Sequence, residues 1–266
     1  MHGRIRGVIA LLGIGALLVS DVTTVRAGSA PFRVGVATNY PPITFSEKGA
    51  PAGVEADLAR QMEQQSDLKF VLIPMEFSAL LPALQKGQID IVMAGMSITP
   101  EREALVSFTQ PYLRVGQMAL IRERDLPSLG GPRRIRQAGR RVGVVYGTTG
   151  HAYVTRDLPE ARVIPFESTP QGVGALERGE IDYFVHDAPT IWHFGADPAT
   201  QGKGLMGLYE PLTDEPLAWA VRKDDTSLRD RLNAEFDRMR RSGTLGATLD
   251  KWMPIRVEVG SGSGAK

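Results

Sequence analysis

The chain has 266 residues, an ordinary apolar content, 31 basic against 30 acidic side chains, and no cysteine. That length supports one large or two modest domains with real cores. The missing thiols exclude a disulfide framework, cysteine zinc sites and thiol catalysis, and the even charge balance gives no support to nucleic-acid binding.

The N-terminus reads as a secretory signal. Arg4 and Arg6 precede a 12-residue apolar run, "VIALLGIGALLV" (Val8 to Val19), and "VRA" (Val25 to Ala27) places small residues where a signal peptidase reads. The run is short for a membrane span, and no cysteine follows it to carry a lipid. Cleavage after Ala27 removes three basic residues and one acid, leaving 28 basic and 29 acidic residues and a net charge of -1. No second long apolar segment follows, so the mature chain is expected in the periplasm without spanning a membrane.

"RVGVA" (Arg33 to Ala37) predicts a first strand. In "VEADLARQM", Val54, Leu58 and Met62 stand four residues apart, the stripe of a helix with one buried face. "FVLIPM" follows as a strand. "FSALLPALQKG" reads as a helix stopped at Gly87, and "IDIVMAG" as a buried strand ending at Gly95. Thr99 and Pro100 then form a helix start, an N-cap followed by the favoured first residue. Arg102 falls in its first turn. Its guanidinium matches a carboxylate in a bidentate pair, although a solvated arginine on a capped helix fits the spacing equally.

A second series repeats the first. "RVGVV" (Arg141 to Val145) echoes "RVGVA", and "ALERGEIDYFVHD" (Ala175 to Asp187) echoes "ALQKGQIDIVMAG" (Ala83 to Gly95). Two echoes in the same order imply two lobes of similar topology. Alternating strands and helices imply an α/β fold with largely parallel sheets, whose ligands lie at the carboxyl ends of strands. "VVYGTTGHAYV" opens the second lobe, with Gly147 turning the chain and Thr148 or Thr149 capping a helix. It lacks the Gly-Lys-Ser/Thr ending of a phosphate loop. "GQMALIRE" (Gly116 to Glu123) and "EPLAWAVRK" (Glu215 to Lys223) bracket the second series and are the candidate hinge strands. If both cross between lobes, the first lobe regains "SLRDRLNAEFDRM", where Leu228, Leu232, Phe236 and Met239 make another helical stripe. The expected division is a signal peptide at 1–27, a discontinuous first lobe at 28–118 and 217–256, a second lobe at 119–216, and a flexible tail at 257–266.

Asp187 falls in the second lobe where Gly95 falls in the first, at a strand's carboxyl end. An unpaired carboxylate there is costly, and an arriving ammonium group would satisfy it. Arg102 and the helix start at Thr149 would hold a carboxylate. A zwitterion carrying both groups on one carbon fits this set, and an L-α-amino acid is the obvious candidate. Tyr40 and Phe77 are candidate aromatic walls. Binding contacts from both lobes would favour closure. Catalysis finds little support: there is no Gly-x-Ser-x-Gly elbow, and no histidine pair has metal-helix spacing. No cofactor or metal is expected.

The ordered stretches "YPPITF", "GVEADLARQM", "PMEFSALLPALQKGQIDIVMAGMSITPER", "FTQPYL", "YGTTG", "IDYFVHDAPTIWHF" and "SGTLGATLDKW" resemble the periplasmic amino-acid-binding proteins of ABC importers, the bacterial extracellular solute-binding family 3. The resemblance covers about Phe32 to Trp252. It implies the two-lobed periplasmic-binding-protein fold (type II) with two hinge strands, a monomer, and an ABC permease as partner. The glutamine-binding branch is the nearest pattern. By that resemblance Tyr40 and Phe77 sandwich the ligand, and Gly95, Ser97 and Arg102 bind its α-carboxylate and amino group. Thr149 approaches it from the second lobe, Asp187 takes the α-ammonium, and His186 matches a further site residue. Ala37 and Val145 depart from the branch where it carries an Asp and a Lys, so the resemblance implies an amino acid without fixing its side chain. Cyclohexadienyl (arogenate or prephenate) dehydratases resemble the same family. Their general acid lies three residues beyond the matching Asp, where this chain has Thr190.

Overall fold

The computed structural model describes residues 30–131, 134–196 and 202–253. The expected signal peptide at 1–27 and the tail at 257–266 lie outside them.

Two mixed sheets carry the molecule. The first orders its strands Phe70–Pro74, Phe32–Val36, Ile91–Ser97, Glu215–Arg222 and Val106–Phe108, with Leu113–Val115 also paired to Glu215–Arg222. The second orders Arg162–Phe166, Arg141–Val145, Tyr183–Asp187, Gln117–Arg122 and Leu205–Leu208. The echoed sequences occupy equivalent places. Strand Phe32–Val36 pairs in parallel with Phe70–Pro74 and Ile91–Ser97, as Arg141–Val145 does with Arg162–Phe166 and Tyr183–Asp187. A matching clamp recurs at the start of each sheet. The Asp90 carboxylate accepts from the Arg33 backbone N–H (3.0 Å) and guanidinium, and Asp182 does the same for Arg141 (2.9 Å from the backbone N–H). The Arg33 bonds hold the Asp90 carboxyl down at about 2.

The sheets are mixed, not largely parallel as the strand–helix alternation suggests. The strand that continues each series crosses from the other lobe, and it adds antiparallel. Gln117–Arg122 pairs antiparallel with Tyr183–Asp187, and Glu215–Arg222 with Ile91–Ser97. Each of these candidate hinge strands therefore lies in one sheet and makes its crossing at its N-terminal end. There the two connections run side by side: Val115 faces Glu215, the Gln117 N–H donates to Thr213 Oγ1 (2.9 Å), and the Leu212 N–H donates to the Gln117 carbonyl (2.8 Å). Gly116 permits the close approach, because a Cβ there would sit 2.3 Å from the Thr213 carbonyl oxygen.

Strand alternation sends successive side chains to opposite faces, and each face is covered. Ile91 and Met93 join Val54, Leu58, Met62, Trp219 and Phe236 in one core of the first lobe, while Val92, Ala94 and Met96 join Leu80 and Leu84 in the other. Both expected helical stripes are in that first core: Val54, Leu58 and Met62 from helix Val54–Gln65, and Leu228, Leu232, Phe236 and Met239 from helix Thr226–Arg241. Each such side chain contributes about 1.5–3 kcal/mol by burial. Gly87 follows helix Phe77–Gln85 at φ +67°, the left-handed backbone that ends a helix. No helix among the described residues is long and apolar enough to cross a membrane.

Candidate functional site

The first lobe delivers its groups from the C-terminal end of strand Ile91–Ser97 and the helix after it. Gly95 takes φ +59°, and a Cβ on it would lie 2.5 Å from the Tyr40 ring. Glycine is thus required both by the backbone and by the aromatic side chain stacked on it. The Gly95 N–H donates to Glu55 Oε1 (2.8 Å), a buried carboxylate that also receives Tyr112 Oη (2.7 Å) and Trp219 Nε1. Burial pushes the Glu55 carboxyl up to about 7. Ser97 Oγ donates to Glu215 Oε2 (2.6 Å). Thr99 caps helix Pro100–Leu105 by accepting the Arg102 N–H (3.3 Å), with Pro100 at its first position. The cap turns the Arg102 guanidinium back over the cleft. It donates to the Ser97 carbonyl (2.9 Å) and across the cleft to the Gly147 carbonyl (3.2 Å), and it lies 5.4 Å from the centre of the Phe77 ring.

In the second lobe the two candidate caps separate. Thr148 caps helix Thr149–Asp157, accepting the His151 N–H (3.2 Å). Thr149 Oγ1 is thereby left for the cleft, 3.4 Å from Ser97 Oγ and accepting Gln117 Nε2 (3.2 Å). Asp187 ends strand Tyr183–Asp187 and stands at the N-cap of helix Ala188–Gly195, yet its side chain makes no capping bond. Its carboxylate turns into the cleft and accepts Tyr40 Oη from the first lobe and Gln117 Nε2 from the hinge. Burial pushes Asp187 up to about 7, helped by the negative charge of Glu215 and opposed by the Tyr40 and Gln117 bonds and the Arg102 charge.

His186 is a wall. Its Nδ1 accepts the Asp187 N–H (2.8 Å), so the proton sits on Nε2, which donates to Thr169 Oγ1 (3.1 Å). Burial lowers its pKa to about 3, leaving it neutral, and its ring packs 4.9 Å from that of Tyr40. Among the described residues no group of three His, Asp or Glu side chains gathers that could hold a metal ion.

Tyr40, Phe77, Gly95, Ser97, Arg102, Thr149, His186 and Asp187, the residues singled out from the sequence, all line this one interlobe cleft, beside Ala37, Asn39, Gln117, Val145, Thr148 and Thr169. Arg102 and Asp187 both face it, and their hydrogen bonds are to other groups. Its cavity measures about 30 Å³, room for about one water molecule. A larger groove of about 580 Å³, beside Tyr112, Trp192 and Leu245, has mostly apolar walls; convergent polar groups belong to the cleft. Sequence reasoning missed Gln117, Glu215 and Glu55. Gln117 and Glu215 each stand at the polar head of an apolar strand, and that was their one signal. Glu55 passes for an ordinary first-turn acid complementing a helix dipole.

Residues 32–255 match the family described as bacterial extracellular solute-binding proteins, family 3. The L-arginine-binding protein of Pseudomonas aeruginosa is 30% identical to the chain, with 94% of this chain and 97% of that protein covered. The glutamine-binding protein GlnH of an ABC transporter of Bacillus subtilis is 28% identical, over 76% and 72%. Among solved structures, an ancestral amino acid-binding protein described as a precursor of cyclohexadienyl dehydratase superposes with a TM-score of 0.77 at 30% identity, covering 84% of this chain and 95% of that one. A putative binding component of an ABC transporter from Wolinella succinogenes, complexed with lysine, gives a TM-score of 0.78 at 27% identity, over 86% and 98%.

Proposed function

The chain belongs to the bacterial extracellular solute-binding proteins, family 3, and from that membership we propose that it captures an L-α-amino acid between its lobes and delivers it to an ABC permease. The observation that carries this reading is the charge arrangement of the cleft. A guanidinium from the first lobe and a carboxylate from the second face one small space, which the Ser97 and Thr149 hydroxyls, 3.4 Å apart, also line. Arg102 takes the α-carboxylate, and Asp187, held by neutral donors alone, takes the α-ammonium. Tyr40 and Phe77 close over the side chain. The ligand replaces the Tyr40 and Gln117 bonds at Asp187 with an ion pair, and closure completes the shell. The relatives named for arginine and glutamine support the α-amino-acid class.

On the same reading the chain acts as a monomer in the periplasm after removal of residues 1–27. Its lobes divide at the crossings around Gly116 and Glu215. It does no chemistry on its ligand. The dehydratase reading draws on the ancestral structure, but Thr190, three residues beyond Asp187, is fully buried and donates to the Pro41 carbonyl (3.0 Å). That hydroxyl is no general acid at neutral pH. A thermal-shift screen of the twenty L-amino acids tests the proposal, since a ligand that binds only the folded state raises Tm. A shift with at least one amino acid supports capture. No shift with any of them, together with turnover of arogenate or prephenate, supports the enzyme.

A further inference from the structure

Glu215 does not line the cleft, yet it governs a group that does. It heads strand Glu215–Arg222 at the crossing between lobes and is 8% exposed. Both of its oxygens are occupied by hydroxyl donors: Ser97 Oγ on Oε2 at 2.6 Å, and Thr213 Oγ1 on Oε1 at 2.7 Å. A carboxylate accepts and does not donate, and a serine hydroxyl has a single proton. That proton is committed to Glu215. Ser97 therefore presents only lone pairs to the cleft, where it meets Thr149 Oγ1 at 3.4 Å.

We infer that Glu215 is a positioning residue that fixes Ser97 as a hydrogen-bond acceptor, and so makes the cleft select a protonated amine over an uncharged hydroxyl or carbonyl at the same place on the ligand. The inference rests on the amino-acid reading of the cleft and deepens it. An ammonium carries three N–H donors and no acceptor. Asp187 and an acceptor-only Ser97 oxygen satisfy two of those donors from opposite lobes. A 2-hydroxy acid brings one donor, so one of the two acceptors is left desolvated and unpaired, the situation that gives sites built for a particular polar group their largest rejection ratios. The charge count agrees. Burial lowers the Arg102 pKa, and the negative charges of Glu215, Asp187 and Glu101 oppose that effect through space. A ligand carboxylate that offsets Arg102 leaves an excess of negative charge, which favours a cationic group. Thr213 ties Glu215 in place from behind, since Thr213 Oγ1 also accepts the Gln117 N–H.

The test measures dissociation constants of L-glutamine and L-arginine, and of the 2-hydroxy acid matching each, for wild type, E215Q, S97A and the double variant. A glutamine amide at 215 keeps one accepting oxygen and puts a donor in place of the other; with the oxygen on Thr213 and the nitrogen on Ser97, the Ser97 proton is free to turn into the cleft. The expected result is that E215Q weakens the amino acid at least tenfold while the 2-hydroxy acid changes less than threefold, so that the discrimination ratio collapses. S97A lowers the same ratio, and the double variant falls no further than the worse single one, as members of one unit do. The inference is overturned if E215Q weakens amino and hydroxy acid equally, the mark of a merely structural residue, or if its effect adds in full to that of S97A. If wild type binds neither probe but binds some third amino acid tightly, the four proteins are compared on that amino acid and its 2-hydroxy acid, and a collapsed or an unchanged ratio decides in the same way. Failure of wild type to bind any amino acid overturns the reading of the cleft and this inference with it. Matching melting temperatures of E215Q and wild type without ligand separate loss of selectivity from loss of fold.

Discussion

The Tyr40 hydroxyl of the first lobe donates to the Asp187 carboxylate of the second, closing the cleft across the place where an ammonium would lie. On the proposed reading, Tyr40 is both a wall of the cleft and the group that an ammonium displaces. Y40F removes this bond from a buried acid. It is expected to lower the unliganded protein's stability by about 1.5–3 kcal/mol, the range for a hydrogen bond to a charged group. Urea unfolding without ligand measures it. An unchanged midpoint would mean that the bond contributes nothing to the closed form.

If Asp187 takes the ammonium, as proposed, binding depends on pH. Its carboxyl is held near 7 by burial and by Glu215, so below that pH it keeps its proton and offers an ammonium no charge. Affinity is expected to rise by up to about tenfold per pH unit between pH 5 and 6.5 and to level off above 7.5, with one proton released per ligand bound. Titration calorimetry in buffers of different ionisation enthalpy reads both quantities. D187N should flatten the profile and weaken binding by about 2–5 kcal/mol. A flat wild-type profile would remove Asp187 from the ammonium's path.

Two buried acids, Asp187 and Glu55, give the stability of the unliganded protein its own pH dependence. Asp187 and Glu55 both bind protons more tightly folded than unfolded. Their contribution is therefore complete below about pH 4 and is lost as the pH climbs towards 7, at up to about 1.4 kcal/mol per unit for each group. Asp90, held down by Arg33, works the other way and loses its contribution only at still lower pH. Tm without ligand should fall between pH 4.5 and 7, and E55Q should remove part of that slope. A Tm that rises across this window contradicts the assignment.

G95A tests the backbone of the site. The added Cβ meets the Tyr40 ring at 2.5 Å and the residue is held at φ +59°, so ring and strand end cannot both keep their places. A destabilisation of about 1–3 kcal/mol with loss of amino-acid binding is expected, measured by urea unfolding and calorimetry. Normal affinity would show that Tyr40 can move without consequence.

Much of this arrangement was legible in the sequence because it repeats locally. The Arg-Val-Gly-Val strands and the Ile-Asp strands recur in order, and stripes such as Leu228, Leu232, Phe236 and Met239 need only helical spacing. Asp187 was legible because a carboxylate at the end of an apolar strand asks for a partner. Glu55, Gln117 and Glu215 were not. Glu55 meets Gly95 40 residues away, Gln117 meets Asp187 70 away, and Glu215 meets Ser97 118 away. Nothing in their own neighbourhoods announces those partners. The antiparallel strands were missed for the same reason, since direction in a sheet depends on where a crossing chain lands.

The most direct measurement is a crystal structure of the protein grown with an amino acid that raises its Tm. The account predicts the amino acid between the lobes, its α-carboxylate on the Arg102 guanidinium and its α-ammonium on the Asp187 carboxylate. An amino acid bound outside the cleft, or one lying in it with Arg102 and Asp187 still engaged only with protein groups, would contradict it.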